Sequence, residues 1–503
     1  PVGEQVDHFE IIHDGVALTC QPETLQVRAC ANADCSTLFT DPVEATLAPA
    51  NGWQGGNRVT LTNGFGEATL QNTMPGEVTL DVIGSTPSTR PQAVTLCQVG
   101  GSLSAGNCQL PFFESGLAFD IPELISHRPS GPVRVQAVRQ DDVTQQCVPA
   151  FENQTKTVEF WSDYVDPGPA GRAVSRPVSV NGQAIGNGAS APTGLELAFG
   201  EDGIAEMEVT YPDAGLVQVT ARYVGSEATE DAGLVMPGAD EFVSIPAGFC
   251  VASAGNCAAG DASCPAFVRA GEAFDLSITA AGWQSDADMD FCAGNPGTPN
   301  FRLADIPLQV ELAAPVGGET GTVSPARYSH ERASDAASVV SAQQSEVGVF
   351  RFVTEPPAGA YLGRNLPKGK SAPIGRFYPD RFRINVDPGE FAPVCEPGSF
   401  TYTGQPFDWL MPPSALIEPL SVQGLRTRNY TADGFQRLAV SGINRSVPAG
   451  DETAVDAGSG PMAVTVDQQG GTLAAIAPGL MQFTYSTDDA FSYIKTPATR
   501  IDP

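Results

Sequence analysis

Lysine is nearly missing from this 503-residue chain, which has only Lys156, Lys368, Lys370 and Lys495. With 27 basic residues against 58 acidic ones, the formal charge is −31. A polyanion of that size repels phosphate backbones, so nucleic acid is excluded as a partner. The few basic residues are scattered and form no patch for an anionic lipid surface, and no run reaches the ~18 apolar residues of a spanning helix. Membrane insertion is therefore not expected. Also missing are C-x-x-C, H-E-x-x-H, the G-x-S-x-G elbow, the phosphate-binding Walker loop and the dinucleotide glycine motif. Only His8, His13, His127 and His330 could serve as an imidazole base. Two carboxylates of a glycosidase cannot be picked out among so many acidic residues. No charged-then-apolar leader opens the chain, which starts at Pro1 and ends at Ile501-Asp502-Pro503. The expectation is a piece of a longer protein.

Apolar residues make up 42% and charged residues 17%, a balance that folds and does not stay disordered. Gly (53) and Pro (42) together form about a fifth of the chain, which implies many turns. Helical periodicity is hard to find. Short alternating runs recur instead, among them Leu25–Ala29, Val133–Val138, Phe274–Ile278 and Leu308–Leu312, each with one apolar face. Val178–Ile185 carries the Asn181-Gly182 pair of a tight hairpin. The fold expected is all-β, tandem immunoglobulin-like β-sandwich domains forming an elongated rod.

A glycine-led pair of strands sets the domain count. Gly66–Leu70 leads to Gly76–Val82, and Gly203–Val209 to Gly215–Ala221. A looser copy runs from Gly348–Phe352 to Gly359–Leu362, and a fourth from Gly471 to Gly479–Tyr485. Each pair reads as the closing hairpin of a sandwich. Boundaries after these hairpins give Ig-like modules at 1–95 and 96–235, a sandwich with Cys-rich loops at 236–393, and a β-rich module at 394–503 expected to be incomplete. Trp53, Trp161, Trp283 and Trp409 fall one to a module and read as packing residues.

Eleven cysteines without metal-ribbon spacing point to disulfides and an oxidising compartment. Cys30 with Cys35 and Cys97 with Cys108 would close short loops, and Cys250, Cys257, Cys264 and Cys292 leave three connectivities open. Nothing near Cys147 or Cys395 decides their partners. An odd cysteine is left free or pairs elsewhere. Asp286-x-Asp288-x-Asp290 is the candidate cation loop, with calcium as the ion, because alternating carboxylates can converge on a hard cation. It lacks the Gly and Glu that continue an EF-hand, and a solvated acidic loop is the competing reading. Asp141-Asp142, Glu201-Asp202 and Asp488-Asp489 read first as turn residues. Lys156, near Asn153 and Glu159, carries the residue types of a Lys-to-Asn amide cross-link, although alternation of faces along a strand leaves the geometry open. Asn153, Asn429 and Asn444 begin glycosylation acceptor patterns, relevant only in a eukaryotic host.

The run from Asp7 through Cys20, Cys30 and Cys35 to Phe39 resembles the MshQ family, which is associated with biogenesis of the mannose-sensitive haemagglutinin pilus, a bacterial type IV pilus. Gly375–Phe382, Phe400–Phe407 and Gly424–Tyr430 extend the resemblance in the same order. It implies a secreted or surface-held protein linked to such a pilus and used in attachment, with no known catalytic residues. Many relatives have a lectin-like domain before the first motif, a part not visible here, and these modules would then be its stalk. The leading expectation is a non-enzymatic extracellular adhesin or stalk at the bacterial surface, with pilus or filament subunits and surface glycans as partners. The alternatives are a secreted carbohydrate-binding or carbohydrate-active protein and a structural subunit of a surface filament.

Overall fold

The computed structural model describes residues 5–392, 394–395, 401–446, 451–455 and 461–494. Phe400 and Lys495 lie outside the described residues, as do both chain ends. The described chain is built of strands with a few short 3-10 turns and contains no α-helix. Strands alternate as their sequence does: Pro132–Gln140 and Ile204–Thr210 bury every second side chain over most of their length.

The first sandwich sets Ser102–Ser104, Leu96–Val99, His8–Ile12, Glu23–Cys30 and Phe65–Leu70, in that order, against two three-stranded sheets. Phe9, Ile11, Leu25, Val27, Leu47, Leu61 and Leu110 fill the space between. A second core forms around Val135, Phe160, Val180, Met207, Tyr211 and Val219. The third holds an aromatic cluster, Phe267, Phe274, Phe350, Phe352 and Phe377, in edge-to-face contacts about 5.4–5.7 Å apart, the offset geometry that ring quadrupoles favour. The fourth has a sheet ordered Arg381–Asp387, Ser414–Leu420, Leu480–Thr484, Thr472–Ala477, plus small two-stranded pieces. The chain is thus all-β, with sandwiches in tandem.

Hydrogen bonding moves the expected boundaries. Leu96–Val99 pairs parallel with His8–Ile12, and Gln109–Phe113 pairs with Gly76–Thr79, so the first sandwich closes at Phe113 instead of 95. Val235–Ile245 pairs along its length with Gly215–Val224, which carries the second sandwich past 235. Arg381–Asp387 already belongs to the fourth sheet, so that module begins before 393. In each case a strand returns to the sheet after the feature taken as the end.

The repeated pair is not a hairpin in the first two modules. Phe65–Leu70 pairs with Glu23–Cys30, whereas Gly76–Thr79 pairs with Gln109–Phe113 in another sheet. Likewise Ile204–Thr210 pairs with Pro132–Gln140, and Gly215–Val224 with Thr155–Asp166. The connection crosses the core from sheet to sheet. The third copy is out of frame: Gly348 corresponds to Gly215, and Gly359–Leu362 forms a turn. Gly215 and Gly348 share φ of +148° and +150°, and an added Cβ would meet Asp166 O at 2.6 Å or Ala314 O at 2.7 Å. Only glycine fits that close crossing. In the fourth copy Thr472–Ala477 and Leu480–Thr484 do pair as a hairpin through Gly479. Asn181-Gly182 turns the short hairpin expected of it.

Three junctions join the modules in series, and among the described residues hydrogen bonds, ion pairs and disulfides link only consecutive modules. Glu114 alone separates Phe113 from the next strand, Ser115–Ala118. Ala214, Val243 and Ile245 of the second module pack into the core of the third. Ala314, Val347 and Val349 of the third share a core with Ile417, Tyr430, Met481 and Phe483 of the fourth.

Candidate functional site

Asp286, Asp288 and Asp290 follow the strand Ala273–Ala281 in an exposed loop, and each carboxylate already has a donor. Trp283 Nε1 donates to Asp286 Oδ1 at 3.1 Å, and Arg128 of the second module pairs with the same oxygen at 3.1 Å. Asp288 accepts from the Asp290 amide at 3.0 Å and from the Asn295 side chain, and Asp290 accepts from the Cys292 amide at 3.0 Å. These are turn-forming bonds of the kind that compete with ion coordination, and the three are not gathered into one ligand cluster. The group that does gather, His8 and Glu10 with Cys30 and Cys35, includes two sulfurs tied up in a disulfide, which removes the thiolates that a metal needs.

The disulfides are Cys30–Cys35, Cys97–Cys108, Cys250–Cys292, Cys257–Cys264 and Cys20–Cys147. The fifth was hidden in the sequence because its partners lie in different modules. Cys395 is the one free cysteine.

Lys156 is buried, but its partners are not Asn153 or Glu159. Its ammonium donates to Asp231 Oδ2 at 2.9 Å and to Tyr223 Oη at 3.2 Å, and sits 4.7 Å from the Phe151 ring centroid. Glu159 instead pairs with Arg222 at 2.7 Å. The hydrogen bonds of Asp231 outweigh its desolvation and hold its carboxyl well below the usual range, while the ammonium's own partners hold it charged against desolvation. Lys156 thus faces an acid and a phenol, and not the Asn carboxamide that a Lys-to-Asn cross-link joins.

The histidines are dispersed, and among the described residues no Ser or Cys is hydrogen-bonded to their rings. His8 pairs with Asp7, His13 bonds the Asn107 carbonyl at 3.0 Å, and His127 lies 3.2 Å from Arg176. His330 is fully buried against Phe301, and desolvation pushes it down to about 4.

The distinctive electrostatic feature is at the first junction. Asp14 and Glu23 of the first module face Asp120 and Asp240 of the second across a cleft of about 470 Å³, and Glu241 follows Asp240 on the strand Val235–Ile245. Burial, then mutual repulsion, raises Glu23 to about 9 and Glu241 to about 7. Asp14 and Asp240 also rise to about 7, chiefly by burial, with backbone donors opposing the shift. Arg28 is the one cation that tempers Glu241. The Cys20–Cys147 disulfide crosses the same junction.

At the second junction Asn300 and Asp213, both under 2% exposed, form a satisfied network. Asn300 accepts from the Ala173 and Val174 amides and donates to Asp213 Oδ2 at 2.8 Å and to the Val174 carbonyl. At the third, Asn429 donates to the Val347 and Glu319 carbonyls and accepts from the Glu319 amide at 2.7 Å. Glu346 there accepts from the Arg428 and Asn429 amides, at the start of a short 3-10 turn. Asn429 is therefore a junction residue, with no free amide for a glycan. Alternation could not single out Asp213, Asn300 or Glu346, because their partners lie on other modules.

The described architecture is that of tandem immunoglobulin-like sandwiches locked end to end. Residues 94–239, 245–340 and 346–503 match, in order, families described as "Domain of unknown function (DUF6701), first Ig-like domain", "DUF6701, second domain" and "DUF6701, third domain". Residues 6–88 match a separate "Domain of unknown function (DUF8613)". Comparison with curated proteins finds no match. Among solved structures, the chain is similar to the D0-D1 domain of intimin, with 12% identity over 47% of this chain and 98% of that one, and a TM-score of 0.20. It is also similar to invasin, described as a bacterial integrin-binding protein, with 14% identity, 95% and 74% coverage, and a TM-score of 0.20. For the S-layer protein rSbsC the figures are 10%, 99% and 68%, and 0.17. Superpositions this loose bear on no functional question.

Proposed function

We propose that this chain is a non-enzymatic, extracellular stalk-adhesin of the bacterial surface, carried on or beside a type IV pilus and binding pilus or filament subunits and surface glycans. The observation that carries the reading is the construction of the junctions. Modules meet without spacers; the second and third junctions share apolar cores and buried side-chain networks, and a disulfide crosses the first, the opposite of the default mobility between domains. Stiffness across successive modules is what a structure needs to hold a binding surface away from a cell. Five disulfides suit an oxidising exterior, and the charge of −31 keeps such a surface soluble. The pilus connection rests on the motif resemblance.

The test is deletion of the gene in a piliated host, with attachment and immunogold labelling as readouts. Loss of attachment with label along or at the end of pili is expected. Unchanged attachment, or label confined to the cytosol, sinks the reading. Incubation with a polysaccharide panel should give binding without product release, and any released oligosaccharide would make the chain an enzyme instead. Calcium is not required in this reading, because protein donors already engage Asp286, Asp288 and Asp290. Attachment should therefore persist in EDTA.

A further inference from the structure

In the fourth module a group of aromatic rings stands apart from the core. The short strands Glu390–Phe391 and Trp409–Met411 pair with each other, Val464–Asp467 pairs with Ala490–Tyr493, and Phe407 bridges to Phe491. This brings Phe391 into parallel stacking on Trp409, with centroids 4.4 Å apart and planes 10° apart, and sets Phe491 edge-on to Trp409 at 4.8 Å. None of these rings belongs to the buried cluster around Ile417 and Met481.

Beside them opens a cavity of about 360 Å³ with two unlike walls. One wall is aromatic: Trp409, Tyr485 and Phe491. The other is polar and planar: Arg445, Asp489 and Asn444. Asp489 is 1% exposed and is held from every side. Arg445 Nη1 donates to its Oδ2 at 2.7 Å, Trp409 Nε1 to the same oxygen at 3.4 Å, and the Gln469 amide to Oδ1 at 2.7 Å. Arg445 also lies over the Tyr485 ring, 5.0 Å from its centroid. Arg445 and Asp489 are thus fixed before any ligand arrives, which lowers the cost of ordering on binding.

The chemistry of the two walls selects the ligand. A buried carboxylate cancels the guanidinium, so the cavity offers no net positive charge to a phosphate or sulfate. A wholly apolar ligand would cover the exposed Asn444 amide, which lines the cavity, and cut it off from water. A pyranose ring meets both demands, since its C–H face packs on an aromatic side chain while its hydroxyls are matched by planar amide and guanidinium groups. The volume lies near the lower end of the ~300–1,000 Å³ typical of small-molecule pockets, suited to one or two sugar rings.

We propose that this cavity is a carbohydrate subsite, which makes the fourth module itself a sugar-binding element of the chain. The proposal rests on the adhesive reading above and adds its ligand class and location. The probes are methyl glycosides of glucose, galactose, mannose and N-acetylglucosamine, titrated into the whole oxidised protein while tryptophan fluorescence is followed. At least one should change the emission saturably, and the change should vanish in Trp409→Phe, which removes the reporting indole. In calorimetry Trp409→Ala should weaken that glycoside at least 10-fold. Asn444→Ala, an exposed substitution that leaves Asp489 and its partners in place, should weaken it several-fold. The proposal is overturned if none of the four glycosides gives a saturable change, or if binding survives both Trp409→Ala and Asn444→Ala unaltered. The two readings fail separately: cells that attach equally well with wild-type and Trp409→Ala protein leave the adhesin standing and remove the subsite. Loss of all attachment by deletion is read without reference to the cavity.

Discussion

Asn429 and Asn300 show how much a single amide decides when it lies between modules. Each is nearly fully buried and uses both its oxygen and its nitrogen on backbone groups of the neighbouring module. Removing one end of such a network strands buried donors and acceptors, at roughly 1–3 kcal/mol for each group left unpaired. Asn429→Ala is therefore expected to destabilise the third junction by about 2–4 kcal/mol, measured as a lowered denaturation midpoint of the third and fourth modules. A change within about 0.5 kcal/mol, the usual range for a surface position, would show that the amide is replaceable. From the sequence, Asn429-Tyr430-Thr431 reads as an exposed acceptor pattern. Nothing local reveals burial, because the atoms that bury the amide, Glu319 and Val347, lie in another module.

Among the elements, strands were legible and their partners were not. Alternation located Leu25–Ala29, Val133–Val138 and Phe274–Ile278 as strands, since side-chain direction depends only on the backbone repeat. The same alternation in Arg381–Asp387 marks a strand whose apolar residues stay open, with Ile384 58% and Val386 60% exposed, because burial depends on what lies opposite. The paired glycines were read as hairpins, whereas the chain crosses between sheets. Two elements meet at the first junction, and two predictions belong there. Cys20 and Cys147 are 127 residues apart in sequence. Replacing both by Ser should cost roughly 2–4 kcal/mol and split the unfolding of the first two modules into separate transitions. A single unshifted transition would mean that packing alone couples them.

The carboxylates there give a pH dependence with a definite sign. Their folded pKa values lie above the ordinary value of about 4, reaching about 7 for Asp14, Asp240 and Glu241 and about 9 for Glu23. The folded chain then holds protons that the unfolded chain releases. That contribution is full below about pH 4 and is lost as pH rises through 7 toward 9. His13, lowered mainly by desolvation, acts oppositely, losing its contribution as pH falls below about 6.5. Between about pH 6.5 and 9 the carboxylates act alone, and the midpoint of the first two modules should fall. Asp240→Asn should flatten the slope, and calorimetry across that window showing a level or rising midpoint would refute the crowding.

At the scale of the whole molecule, stiffness and charge are separable causes of extension. If shared cores and buried networks fix the junctions, screening the charge of −31 should not alter the shape. Small-angle scattering is expected to give the same distance distribution at ~0.05 M and ~0.5 M salt, where the Debye length shrinks several-fold. Compaction at the higher salt would mean that repulsion, and not packing, extends the chain.

The sequence by itself determined the all-β class, the tandem organisation, the Asn181-Gly182 turn and the acidity, because turn chemistry, two-residue periodicity and net charge are properties of neighbours along a chain. Tertiary structure alone decided which strands close each sandwich, the Cys20–Cys147 bond, the crowding of Asp14 with Asp240, the dispersal of Asp286, Asp288 and Asp290 onto local donors, and the aromatic cavity at Trp409. All but the local donors of Asp286, Asp288 and Asp290 depend on groups brought together from distant positions, and a distance between two such groups exists only once the sheets have packed; those donors come from one loop folding back on itself.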